Sequence, residues 1–186
     1  MQNSKTANQS IMGELRLFGN VRVLIISALL IALSIVFGKL LAFNLGPLRI
    51  SFENLPILMA GLFFGPVIGL VVGIGADLIG CLIVGYAVNP IITLGAALIG
   101  LLSGLLFRLP VIRNKDVRLV VSIFVAHIVA SMIVKSIGLM VYYGYTIQSV
   151  ALRVPLYLGI AMAESTVMFA LMRNKAFSRE LERIRR

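Results

Sequence analysis

Long apolar stretches between three clusters of basic residues constrain this chain more than any other feature. The clusters are Lys5, Arg16 and Arg22; Arg108, Arg113, Lys115 and Arg118; and Arg173, Lys175, Arg179, Arg183, Arg185 and Arg186. A soluble domain needs about a quarter of its residues charged, whereas this chain has 13% charged and 60% hydrophobic residues. Most of its surface must therefore face lipid, and the sequence predicts an integral membrane protein.

The basic clusters also predict how the chain crosses the bilayer. By the positive-inside rule all three clusters are cytoplasmic, so the number of crossings between residues 23 and 107 is even. One crossing takes about 20 helical residues, and four crossings fit this segment if its turns are tight. Turn signals at residues 43–47, 64–66 and 85–90 allow this, and they leave a short second helix at about 53–65.

Two more crossings fit between residues 119 and 172, separated near residues 143–146. The sequence therefore predicts an all-α integral membrane protein, a six-transmembrane-helix bundle with both termini cytoplasmic. Residues 1–22 form a cytoplasmic N-terminal segment without a cleaved signal peptide, 23–172 the membrane domain, and 173–186 a basic cytoplasmic tail. That tail either continues the last helix into the cytosol or lies on anionic lipid. The basic charge thus serves orientation, and no nucleic-acid partner is expected.

Small residues four apart predict close helix packing, since lipid supplies no hydrophobic force between helices. The main series are Gly61, Gly65, Gly69 and Gly73, then Ala96, Gly100 and Gly104, and internal packing explains them best. Ala28 and Ala32 differ because the rest of their helix is bulky. This notch either packs inside the bundle or docks another protein.

Four basic residues lie outside the clusters, in the predicted outer half: Lys39, Arg49, Lys135 and Arg153. A charge at mid-membrane costs at least about 2.5 kcal/mol, so these bases need anionic partners. Glu53, Asp77 and Glu164 could pair with some of them, and Lys39 and Arg153 could reach the headgroups. The other interpretation is an outward-facing pocket for an organic anion.

Aromatic residues lie at the same level, and they form either an interfacial belt or the walls of a pocket. A flat heterocycle bearing carboxylates would suit such walls, with Asp77 and Asn89 reading its ring N–H and carbonyl groups. The candidate substrate-binding residues are Lys39, Phe43, Asn44, Arg49, Phe52, Asp77, Asn89, Lys135, Tyr142, Arg153 and Tyr157. His127, on an apolar face, is expected to be an interhelical hydrogen-bond donor rather than a ligand.

Catalytic and energy-converting motifs are missing from the sequence. There is no Walker A sequence, no HExxH zinc site and no cluster of aspartates for a divalent metal. We therefore expect no enzyme activity, no metal and no cofactor in this chain, and any active transport must use energy from elsewhere.

Five segments resemble one known family. The pair Ala28 and Ala32 is similar to the docking motif of the substrate-binding (S) subunits of energy-coupling factor (ECF) transporters, the vitamin importers of prokaryotes. Segments 49–57 (RISFENLPI), 64–69 (FGPVIG), 75–80 (GADLIG) and 152–156 (LRVPL) resemble the folate-specific members.

The resemblance implies a multi-pass protein of the prokaryotic cell membrane that captures folate at the outer face. It implies docking through Ala28 and Ala32 on a transmembrane coupling subunit, two cytoplasmic ATPase subunits that use ATP, and toppling that releases the vitamin inside. The first external loop, with Gly46 and Pro47, would be a gate. Three alternatives stay open: an S subunit for another vitamin such as pantothenate or thiamine, a self-sufficient secondary transporter of an organic anion, and a membrane enzyme acting on an anionic lipid.

Overall fold

A computed structural model of the 186-residue chain describes residues 19–45 and 48–185. The helices are α1 (Val21–Ile35), α2 (Asn54–Phe64), α3 (Pro66–Val84), α4 (Pro90–Arg108), α5 (Lys115–Ala126), α6 (Lys135–Tyr143), α7 (Ile147–Ala151), α8 (Arg153–Arg173) and α9 (Lys175–Arg185). Two π-helical segments, Val36–Leu40 and His127–Val134, extend α1 and join α5 to α6. Strands β1 (Phe43–Leu45) and β2 (Leu48–Ile50) form the antiparallel hairpin between α1 and α2.

Five helical stretches in the described part are long and apolar enough to cross a membrane. They are Val21–Leu40, Pro66–Val84, Pro90–Arg108, Lys115–Tyr143 and Ile147–Arg173. The sixth apolar helix, α2, has 11 residues and is about 16 Å long, half of a hydrocarbon core. The short second helix is thus confirmed, whereas six full crossings and cytoplasmic termini stay predictions.

Glycine and proline end the helices where the sequence indicated turns. Gly65 has a φ of 117° and separates α2 from α3, which starts with Pro66. Gly85 and Gly144 take left-handed conformations after α3 and α6, where a side chain would be strained. The predicted turns at 64–66, 85–90 and 143–146 are confirmed.

The first loop contains the short hairpin, which the apolar pattern did not predict. Asn44 pairs with Arg49 across its two strands. The Gly46 and Pro47 turn, predicted to act in a gate, lies outside the described residues, as does most of the predicted N-terminal segment.

Helices α2, α3 and α4 bring backbone against backbone at their glycines. Gly61 and Gly69 both face the backbone carbonyl of Gly100, and Gly73 faces the carbonyl of Ala96. A Cβ atom at any of these glycines would overlap the neighbouring backbone. The predicted packing role is confirmed for these residues, whereas Gly65 serves the break between two helices.

The C-terminal segment folds back instead of continuing α8. Asn174 has an extended backbone, and its side chain caps α9 by accepting from the Ala176 backbone N–H at 3.0 Å. The ring of Phe177 then packs 5.1 Å from that of Phe63, and Asn20 donates to the Ile184 carbonyl at 3.0 Å. The first of the two alternatives for this tail, a continuous helix, is wrong, because the Asn174 cap starts a new amphipathic helix whose apolar side packs on the bundle. The contact with anionic lipid stays a prediction.

Candidate functional site

A small polar cavity lies between the end of α1 with its π-helical extension, the start of α2, the middle of α3, the first half of α4 and the start of α6. Its volume is about 20 Å³, room for a water molecule or two. Its lining residues are Ser34, Ile35, Lys39, Glu53, Ile57, Ala76, Asp77, Ala96 and Lys135. The cavity thus brings together two ammonium groups and two carboxylates, including three of the predicted site residues.

Lys135 and Glu53 form an ion pair across this cavity. The Lys135 Nζ lies 3.0 Å from Glu53 Oε1 and 3.2 Å from Asn54 Oδ1, and the lysine is 5% exposed. Ser34 donates to the Glu53 backbone carbonyl at 2.6 Å. The aliphatic part of Lys135 lies against Gly95, where a side chain would collide with it. The interpretation that internal acids pair with the bases therefore applies to Lys135.

Lys39 and Asp77 also line the cavity. Lys39 lies in the π-helical extension of α1, and its Nζ is 5.4 Å from the centre of the Tyr86 ring. Asp77, on α3, accepts a 2.6 Å hydrogen bond from the Thr93 hydroxyl on α4. No carboxylate in the described ranges lies within ion-pair distance of Lys39, so its charge remains available to an anion.

Arg49 ties the hairpin to the end of α1. One of its terminal nitrogens donates to the Gly38 carbonyl, while its buried Nε has no hydrogen-bond partner among the described residues. Arg49 therefore lies beside the cavity, in strand β2 of the hairpin.

Arg153 and Tyr157 form a second polar group, on α8. Both are buried, and Arg153 donates to the Tyr157 hydroxyl at 3.1 Å while its guanidinium lies 5.0 Å from that ring. The other terminal nitrogen of Arg153, Nη1, is buried and lacks a partner in the described part of the chain. Neither residue lines the cavity, so the structure separates this pair from Lys39, Asp77 and Lys135.

The remaining predicted residues divide into exposed aromatics and a helix cap. Phe43, Phe52 and Tyr142 are 72%, 42% and 55% exposed, so none of them walls the cavity in this conformation. The side chain of Asn44 lies outside what the structure describes. Asn89 is buried; its Oδ1 accepts from the backbone N–H groups that open α4, and its Nδ2 donates to the Gly138 carbonyl at 3.1 Å. The structure gives Asn89 a capping and bracing role, and its contact with a ring stays a prediction.

Some residues around the cavity were missed as site candidates. Glu53 had been considered as a partner for the bases, and its position four residues after Arg49 was the available signal. Ser34, Asn54 and Thr93 gave no signal, because an isolated polar side chain in an apolar helix does not reveal which neighbour it meets.

His127 and Glu164 join the spans Lys115–Tyr143 and Ile147–Arg173 near their middles. His127 Nε2 lies 2.6 Å from Glu164 Oε2, and both side chains are fully buried. Ser131 lies 3.4 Å from the other ring nitrogen of His127. The expected interhelical role of His127 is confirmed.

Ala28 and Ala32 lie in an open groove between α1 and α3. The groove has a volume of about 720 Å³, and both alanines are exposed within it. They do not pack inside the bundle, so the first of the two interpretations of this notch is wrong for the chain alone.

Comparisons with known proteins all lead to membrane transporters or their components. The family described as "ECF transporter, substrate-specific component" matches residues 22–175. The folate transporter FolT of Clostridium novyi (strain NT) is 35% identical over 104 residues, which cover 55% of this chain and 60% of that protein. The match therefore spans less than two thirds of that relative's length.

Two solved structures share the fold. A crystal structure of FolT bound with folic acid superposes with a TM-score of 0.67 at 23% identity, covering 81% of this chain and 92% of that one. The S component of a bacterial ECF transporter superposes with a TM-score of 0.63 at 24% identity, covering 83% and 95%. At such identities the likeness extends to the arrangement of helices.

Proposed function

This chain belongs to the family of substrate-specific components of ECF transporters, and we propose that it captures folate at the outer face of a prokaryotic cell membrane. The observation that carries the proposal is the cluster of Lys39, Asp77 and Lys135 around one cavity, with Arg49 beside it. Charges within a membrane span are costly and mark ligand sites by default. The folate-binding relatives support the choice of vitamin.

Each group in the site has a chemical use for such a ligand. Arg49 would hold a glutamate carboxylate through paired N–H donors, and Lys39 would add a point charge. Asp77 would accept hydrogen bonds from the N–H groups of a pterin ring. Arg153 and Tyr157 would extend the site toward α8, since Arg153 Nη1 has no other partner in the described residues.

A folate-sized ligand needs more room than the closed cavity offers. Sites for such molecules measure about 300–1,000 Å³, against about 20 Å³ here. We propose that the β1–β2 hairpin is the gate, released when the Arg49 contact to Gly38 breaks. The exposed Phe43 and Phe52 and the polar Asn44, on or beside this hairpin, would then close over the ligand together with the exposed Tyr142.

Energy would come from other subunits. Ala28 and Ala32 would dock on a transmembrane coupling subunit bound to two ATPases, and the chain would topple in the membrane to release folate inside. This assignment accords with their exposure in the α1–α3 groove.

Ligand binding to the purified chain tests the proposal directly. We expect folate to copurify and appear by native mass spectrometry, and Arg49→Ala and Arg153→Ala each to weaken folate binding at least tenfold by calorimetry. Arg113→Ala, which removes an exposed base of the middle cluster, is the control and should bind like wild type. Unchanged binding in both arginine variants would mean that the anion pocket lies elsewhere, and copurified pantothenate or thiamine would point to another vitamin.

Reconstitution tests the dependence on partners. The chain alone in liposomes should not accumulate folate, and uptake driven by a sodium or proton gradient would favour the secondary transporter instead. With the coupling module present, Ala28→Trp should abolish uptake while folate binding persists. Leu29→Trp, at an exposed position outside the groove, should leave uptake intact.

A further inference from the structure

The α1–α3 groove has a composition that suits a lipid chain. Ten residues line it, and nine of them are apolar, with Ile31, Ile35, Ile79 and Ile83 among its walls. The tenth is Lys39. The groove is therefore an apolar channel with a single cation at one end.

The length of the groove matches one leaflet of a bilayer. It extends along the first span from Ala28 to Leu40, which is about 18 Å at the helical rise of 1.5 Å per residue. One leaflet contributes about 15 Å of hydrocarbon. The inner end of the groove, at Ala28, lies near the middle of the first span. Lys39 lies near the other end of that span, remote from Arg22.

Lys39 is placed to meet a headgroup. Its Cε would lie 3.1 Å from a Cβ atom at Gly80, so the stem passes closely over α3 at a position without a side chain. Its Nζ is 5.4 Å from the Tyr86 ring centre, and no carboxylate of residues 19–45 and 48–185 pairs with it. An ammonium at the mouth of an apolar groove attracts an anionic headgroup.

We propose that in the chain alone, while neither folate nor the coupling subunit is bound, this groove binds one acyl chain of an anionic phospholipid from the leaflet opposite the basic clusters, with its phosphate on Lys39. The acyl chain fills the space between the isoleucine walls, and the charge at the mouth selects the headgroup.

Fluorescence provides the test, because the chain contains no tryptophan. Ile83→Trp places a reporter in the groove, and Leu82→Trp places one on the exposed surface beside it. Each variant is reconstituted in dioleoyl phosphatidylcholine. Brominated phosphatidylglycerol or brominated phosphatidylcholine is then titrated in, and quenching gives the relative affinity of the two lipids at each position.

The groove reporter should show about fivefold preference for phosphatidylglycerol, the effect of one basic residue at an anionic surface. The Leu82→Trp reporter should show none, and adding Lys39→Gln to Ile83→Trp should remove the preference. Equal ratios at the two reporters would overturn the proposal, as would a preference that survives Lys39→Gln. Should Lys39→Gln fail to fold, the comparison of the two reporters still decides.

Discussion

Helices α2, α3 and α4 are held together differently at their two ends. Near the α2–α3 turn, Gly61, Gly69 and Gly100 bring backbone against backbone, and packing alone stabilises the contact. At the opposite end, the ion pair of Lys135 with Glu53 and a 2.6 Å hydrogen bond from Thr93 to Asp77 surround the polar cavity. We call these the dry end and the polar end.

The difference indicates what each end is for. A buried ion pair contributes little net stability compared with well-packed apolar side chains, so the polar end is a poor device for holding helices together. Its charges are better explained by a ligand. The dry end, which has no space for a ligand, sets the arrangement of the helices.

The largest effect is expected at the dry end. Gly100→Leu would force a side chain into the carbonyl and Cα of Gly69, and since backbone cannot yield, we expect a loss of more than about 3 kcal/mol. The folded, monodisperse fraction in size-exclusion chromatography should fall to near zero. Gly159→Leu is the control, because a Cβ atom there meets nothing within 4 Å; equal behaviour of the two variants would refute the dry contact.

Breaking the ion pair of the polar end should lower the stability less than Gly100→Leu does. Lys135→Met leaves Glu53 without its partner, and we expect about 1–3 kcal/mol lower stability in thermal unfolding. Adding Glu53→Gln removes the stranded charge and should restore most of that loss. Neither variant should bind folate with wild-type affinity. A double variant that stays as unstable as Lys135→Met would show that the pair is structural.

Local signals were sufficient to predict the helix boundaries. Gly65 and Pro66, or Gly85 and Asn89, determine the backbone by their own conformational limits or capping chemistry, so their effect is readable without neighbours. The short α2 was predicted from the positions of the basic clusters and the number of residues that each crossing needs. The resemblance to one family also came from contiguous segments.

The partners of buried polar groups were harder to predict, because they depend on helix rotation. Lys39 and Lys135 lie within or directly after π-helical segments, where i→i+5 hydrogen bonds shift the residues that share a face. A count at 3.6 residues per turn therefore assigns the residues after each π-helical segment to the wrong face of the helix. The same limit explains Asn89, whose contact with Gly138 lies 49 residues away in the chain.

The smallest expected change in stability comes from a pair of substitutions that distinguishes a structural role of Asp77 from a role in ligand binding. Thr93→Val keeps the side-chain shape and removes the hydrogen bond to Asp77, so stability should fall by about 1 kcal/mol while Asp77 remains for the ligand. Asp77→Asn keeps an acceptor for Thr93 but removes the charge, and it should weaken folate binding more than it lowers the unfolding midpoint. Calorimetry and thermal unfolding of both variants measure this contrast. Wild-type folate affinity in Asp77→Asn would mean that Asp77 serves only Thr93, and the polar end would lose one of its proposed ligand contacts.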